Sequence, residues 1–305
     1  MNYSAFLFSK STQRLGVLLT LFSVVLGYFV VYHEFRWAFL EIPGWTSILI
    51  KGIYIEVNLT DELAMIGLIT GLFFIGFGKV RDEDERVLRF RLESLQWAIV
   101  VQQTILLVLF LINNLVILPP EALFGSWSLL GDMGWLIYMV FAPLVLFILR
   151  FRFVLWRDSR NHLDFRPTSN ALHPIVLNTI LVSSIVLFLL VVSQHVLERA
   201  DIVSSLFPDP VWQSAWYIWP CLLVFYLALK PTADREFEVA LKLQRWKYSF
   251  VGFYAFMIVC TCLVNGSAYL LVLLGQVVLL PVLYLFILPI LNVFPTLSNQ
   301  HNHYD

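Results

Sequence analysis

The chain has 305 residues, 59% of them hydrophobic and 13% charged, with a mean hydropathy of +0.79 and a net charge of −1. A soluble domain carries about 25% charged residues, so composition excludes an ordinary water-soluble globule. The basic segments are short and abut apolar runs, which excludes a nucleic-acid-binding surface.

Eight apolar runs, each about 16–25 residues long, lie at roughly 15–32, 62–78, 95–118, 133–151, 174–196, 211–229, 248–264 and 268–292. None has an Asp, Glu, Lys or Arg in its interior. Runs of this length predict membrane-crossing helices. Lys10 and Arg14 precede the first run, which is too long for a signal-peptide core and ends in Tyr32-His33-Glu34 with no small-residue cleavage site. It therefore reads as the first span.

The segment from His33 to Asp61 is the longest outside the runs. Ile53-Tyr54-Ile55-Glu56-Val57-Asn58-Leu59 alternates strictly, and Lys51-Gly52 separates it from an apolar stretch at Ser47 to Ile50. This predicts a small outer β-hairpin near 47–59. Asn58-Leu59-Thr60 matches an N-glycosylation acceptor. Span two carries Gly67-x-x-x-Gly71, then Gly76 and Gly78. Small residues at this spacing let helix backbones approach, so Gly67 and Gly71 are candidate helix-packing residues, within the bundle or between protomers, and a contact in the interface between the two halves of the chain is expected of them.

Seventeen of the twenty Lys and Arg residues fall at the amino terminus and after spans two, four and six, leaving Arg36, Lys51 and Arg199 on the other side. The positive-inside rule then puts both termini in the cytoplasm. Trp37, Trp45, Trp127, Trp135, Trp212, Trp216 and Trp219 cluster toward the outer boundary, and Trp97, Trp156 and Trp246 toward the inner one, as interfacial indoles do.

The basic segments after spans two and six correspond at a shift of 151 positions. Lys79 falls on Lys230, Glu85 on Glu236, Arg91 on Lys242, Leu92 on Leu243, Trp97 on Tyr248 and Asn114 on Asn265. With a shorter connection, Pro143 falls near Pro281. The expected architecture is an all-α membrane protein of eight spans in two parallel four-helix repeats, 1–157 and 158–305, related by an axis normal to the membrane. Both basic segments carry charges at i,i+4 spacing and read as helices running into the next span. Their residues Arg86, Arg89, Arg91, Lys242, Arg245 and Lys247 are the candidate contacts for a cytoplasmic partner or for anionic lipid.

The first half, about residues 15–153, resembles small uncharacterised integral-membrane proteins common in Bacteroidetes-type bacteria. The residues concerned are Asp61-Glu62-Leu63-Ala64-Met65-Ile66-Gly67-Leu68-Ile69, Asp84-Glu85, Arg91-Leu92-Glu93-Ser94-Leu95-Gln96-Trp97 and Ile148-Leu149-Arg150-Phe151. The resemblance implies a membrane architecture and no particular activity.

No nucleotide-binding, serine-hydrolase, zinc-protease or Cys-x-x-Cys motif occurs, and Asp and Glu are confined to interfaces and loops. No catalytic or metal residue is therefore assigned. Cys221, Cys260 and Cys262 read as small packing residues. The polar residues of the spans, Gln102, Gln103, Asn113, Asn114, Ser183, Ser184, Gln194, Thr261, Asn265 and Gln276, read as interhelical hydrogen-bonding groups. The sequence points to a non-enzymatic scaffold, sensor or regulatory subunit of the bacterial inner membrane, with oligomerisation compatible. The duplication supplies a second reading, a transporter or channel for a small solute. His33 and His195 occupy equivalent outer positions, where an imidazole can ligate haem but is commonly satisfied by water. The expectation is no cofactor. The purified protein should be colourless; a Soret band lost on His33→Ala or His195→Ala would overturn that.

Overall fold

The computed structural model of the chain describes residues 7–48, 54–80, 84–115, 135–161, 174–198, 209–230, 236–263, 272–273 and 275–287. Eight α-helices are formed among the described residues: α1 (Lys10–His33), α2 (Thr60–Gly76), α3 (Glu85–Leu115), α4 (Trp135–Asn161), α5 (Pro174–Glu198), α6 (Asp209–Leu229), α7 (Glu236–Leu263) and α8 (Gly275–Ile287). Each apolar run overlaps one helix. Among the described residues four stretches are long and apolar enough to cross a membrane: Lys10–His33, Glu85–Leu109, Tyr138–Arg160 and Leu241–Leu263. Away from their charged ends they expose large apolar side chains, as at Leu18, Leu21 and Val25 of α1, which water would disfavour and lipid accepts.

The fold divides into two compact units, residues 1–95, 140–161 and 250–276, and residues 96–139, 162–249 and 277–305. Each unit takes residues from both halves of the sequence.

The first unit is built around the antiparallel pair α1 and α2. Ser9 caps α1, its Oγ accepting from Thr12 N at 3.2 Å. The chain leaves α1 through Glu34 at φ 50°, a left-handed conformation that lets Phe35 N donate to Phe29 O at 3.2 Å. Between the helices, strand β1 (Glu41–Ile48) pairs antiparallel with β2 (Tyr54–Asn58), with Thr46 opposite Glu56 and Ile48 opposite Tyr54. The register is irregular between Glu41 and Thr46, where Pro43 has no N–H for a ladder bond. The predicted turn at Lys51-Gly52 lies outside the described residues.

Small residues decide how closely α1 and α2 approach. A Cβ on Gly71 would stand 2.8 Å from Thr20 N and 2.9 Å from Gly16 O; one on Gly67 would meet the Ser23 hydroxyl. The Gly67–Gly71 face thus lies against α1, inside the first half of the chain, and not in the expected interface between halves. The two ends of the pair are tied by polar bonds. At one end Phe8 N donates to Phe77 O at 3.0 Å, and Lys79 N to Phe8 O at 2.8 Å. At the other, Trp37 N donates to Thr60 Oγ1 at 2.9 Å, and Asn58 Nδ2 to Trp37 O at 3.0 Å. Asn58 Oδ1 accepts from Thr60 N at 3.1 Å. Asn58 and Thr60 are therefore consumed in starting α2, and Thr60 is 1% exposed. A glycan on Asn58 Nδ2 would displace its bond to Trp37 O, so the tripeptide is a helix start and not a free acceptor.

The first unit is filled by aromatic rings. Phe77 lies 4.5 Å from Phe73 and 5.3 Å from Phe147, centroid to centroid, and Phe250 lies 4.8 Å from Tyr254. The second unit pairs α5 with α6. Ser184 Oγ donates to Trp219 O at 3.0 Å, and Trp219 packs on Leu187, Phe188 and Leu223. Cys221 Sγ donates to Gln103 Oε1 at 3.2 Å, so two polar groups of the apolar runs satisfy each other.

Two glycine substitutions should move stability in opposite directions. Gly71→Ala must push backbone aside and should cost about 1–3 kcal/mol. Gly27→Ala in α1 meets nothing within 4 Å and should add about 0.5–1 kcal/mol by removing a glycine from a helix interior. Thermal unfolding of the two variants in detergent measures both signs.

Candidate functional site

The residues singled out in the basic segments are organised around the carbonyl ends of two helices. A helix leaves its last carbonyls without N–H partners, and these carry a partial negative charge. The last turn of α2 and the residues after it are a case in point. Arg91, in the second turn of α3, reaches back so that Nη1 donates to Gly76 O at 2.5 Å and Nη2 to Gly78 O at 3.1 Å. Its Cζ lies 4.4 Å from the centroid of the Phe151 ring. Arg91 as a whole is 1% exposed. The absence of a side chain at Gly76 admits Phe147 beside the helix end, since a Cβ there would meet Phe147 Cε1 at 2.7 Å.

Helix α3 starts where this reach is possible. Asp84 caps it, with Val87 N donating to Asp84 Oδ1 at 2.8 Å. Arg86 pairs with Asp158 of α4, and Arg89 pairs with Glu93 at 3.3 Å on the same helix.

A second clasp stands in the second unit. Lys242 of α7 donates from Nζ to Ala228 O at 2.7 Å and to Lys230 O at 2.8 Å, at the carbonyl end of α6. Gln96 Nε2 also donates to Ala228 O, at 2.7 Å. Arg245 lies close enough to Tyr284 for its positive charge to act on the phenol. Lys247 is buried, with Nζ 4.9 Å from the Tyr248 ring centroid.

The structure draws four of the six basic residues, Arg91, Lys242, Arg245 and Lys247, into their own units and leaves Arg86 and Arg89 at the surface beside carboxylates. Arg91 and Lys247 are buried and are not presented to a partner or to lipid. Lys242 and Arg245 are turned to carbonyls and to a tyrosine of their own unit. Arg86 and Arg89 are bound to carboxylates. Gln96, Gly76, Gly78 and Phe151 also belong to the clasps; the sequence marks Gly76 and Gly78 only as small residues of span two, and Gln96 and Phe151 only within the family resemblance. The usable signal was a cation two turns into a helix that follows a glycine-rich helix end.

Asn114 and His195 lie in helices, but their side chains, like the whole of Asn265, fall outside the described residues. His33 is exposed at the end of α1, its ring 5.4 Å from Phe29 and 5.7 Å from Tyr28. Among the described residues no group of three His, Cys, Asp or Glu side chains could hold a metal ion. No protein-family model, curated protein or solved structure matches the chain.

Removing the clasps should be costly where surface charge removal is not. Arg91→Met leaves two buried carbonyls without their cation and should lower stability by about 3 kcal/mol. Lys242→Met, at a less buried site, should cost about 2 kcal/mol. Arg89→Met, which breaks an i,i+4 pair, should cost about 0.5 kcal/mol. Denaturation of the three variants in the same detergent gives the order; equal losses for Arg91→Met and Arg89→Met would sink the clasp assignment.

Proposed function

We propose that the chain is a polytopic protein of the bacterial inner membrane that acts as a non-enzymatic scaffold, sensor or regulatory subunit. In this reading all eight helices are spans. They form two four-helix repeats of like orientation, 1–157 and 158–305. The termini are cytoplasmic and the β1–β2 pair lies on the outer surface.

The duplication reading draws support from two features. The first two helices of each half pair, α1 with α2 and α5 with α6. In each half a cation at corresponding sequence positions, Arg91 or Lys242, holds the carbonyl end of the preceding helix. The membrane orientation draws support from the first unit. There the start of α1, the end of α2, the start of α3 and the end of α4 meet at one end. That end carries exposed Lys10, Arg14, Lys79, Arg152, Arg157 and Arg160.

The observation that carries the functional reading is this separation of cations. One set is spent inside the fold, and another stands exposed at one end. The exposed set, not Arg91 or Lys247, is what a cytoplasmic partner would meet. A stoichiometric cytoplasmic protein captured from native membranes, and lost on removing the exposed cations, supports this reading. Solute flux in proteoliposomes, absent with an unrelated membrane protein, would instead favour the transporter reading that the paired halves motivate.

Topology is testable separately. Cysteine introduced at Thr46 or Ser128 should be labelled from outside the intact membrane, and cysteine at Ser159 only after permeabilisation. The reverse pattern would invert the orientation.

A further inference from the structure

Helix α4 has 27 residues, about 40 Å at 1.5 Å per residue, and so outruns a hydrocarbon layer of about 30 Å. Its apolar run ends near residue 151, and the helix continues to Asn161. The two faces of this end differ sharply. Phe147 and Phe151 are buried, and Asp158 is bound to Arg86; at about 100° per residue these three share one face. Val145, Leu149, Phe153, Trp156 and Arg160 share the opposite face. Leu149, Phe153 and Trp156 are 62%, 56% and 52% exposed.

The outward stripe is thus apolar along the run and turns aromatic, then cationic, beyond it. Side chains on a helix lean toward its N-terminus. Accordingly Arg160 folds back, its Cζ 4.6 Å from the Trp156 ring centroid. That brings the guanidinium to about 7 Å past residue 151, at headgroup depth. Arg157 flanks the stripe on one side and Arg152 on the other, both exposed. Asp158, the acidic residue of this segment, faces away into its bond with Arg86. The charge left on the stripe is therefore positive.

We propose that this stripe docks an anionic phospholipid, with an acyl chain along Val145 and Leu149, the glycerol region against Phe153 and Trp156, and the phosphate at Arg157 and Arg160. The proposal rests on the membrane reading above and adds a specific lipid site to it. Charge complementarity selects an anionic headgroup. The unbroken continuation of the same helix face into apolar residues selects a lipid over a soluble anion or an acidic protein.

The test uses the full chain in detergent, titrated with phosphatidylglycerol or phosphatidylcholine, with bound lipid counted by native mass spectrometry. The unsubstituted protein should bind phosphatidylglycerol at least about fivefold more tightly, the effect of one interfacial cation. Arg157→Ala combined with Arg160→Ala should weaken phosphatidylglycerol about 25-fold and phosphatidylcholine, whose phosphate is offset by its own choline, by less, so that the preference is lost. Trp156→Ala should weaken both lipids. Equal binding of the two lipids by the unsubstituted protein overturns the proposal whatever the variants do. So does a preference that survives the double substitution, displacement of the lipid by inorganic phosphate at the same concentration, or an acidic protein retained in place of lipid. Labelling of a cysteine at Ser159 from outside would overturn the membrane orientation alone, and is read independently of lipid preference.

Discussion

The end of a helix in an apolar surrounding has to find hydrogen-bond donors, and water is scarce there. Each carbonyl left open costs free energy comparable to a lost hydrogen bond. In this chain a cation from the following helix meets that constraint. Arg91 bonds Gly76 and Gly78 at the end of α2, and Lys242 bonds Ala228 and Lys230 at the end of α6. The arrangement satisfies the carbonyls, opposes the helix dipole with positive charge and fixes how each helix turns into the next. Stacking of Arg91 on Phe151 then ties the end of α4 to the same point.

Close approach does the corresponding work elsewhere. Hydrophobic attraction between helices is weak when the surroundings are as apolar as the side chains, so association depends on van der Waals contact and on polar bonds. Gly16 and Thr20 on α1 against Gly71 on α2 provide the contact. Phe8 with Phe77 at one end, and Trp37, Asn58 and Thr60 at the other, provide the bonds. In the second unit, the bonds of Ser184 with Trp219 and of Cys221 with Gln103 serve the same end.

Two populations of basic residue follow, and they have different consequences. Those in the clasps are structural, because their charges are neutralised by carbonyl dipoles and screened from the surface. Those at the ends of α1, α2 and α4 remain exposed and carry the chemistry through which the proposed scaffold would meet lipid or protein. A count of loop charges cannot separate the two, since both contribute equally to the inside–outside imbalance.

The sequence by itself determined the helices. Each apolar run overlaps one of them, because run length and the exclusion of charge are local properties that follow from the cost of placing charge in hydrocarbon. The i,i+4 charge spacing around Arg91 and Lys242 is local as well, and it matches the helices found there. The direction in which those side chains point was decided only by tertiary structure. Arg91 reads as a surface cation by spacing. It becomes a buried clasp because Gly76 and Gly78 bring two carbonyls, and α4 brings Phe151, within reach. Likewise Gly67 and Gly71 announce a close contact, but nothing in their spacing names α1 as the partner. Asn58-Leu59-Thr60 has the form of a surface acceptor until Trp37 arrives to bond both of its polar residues. In each case the residue type records a local capability, and the partner that uses it comes from a distant part of the chain.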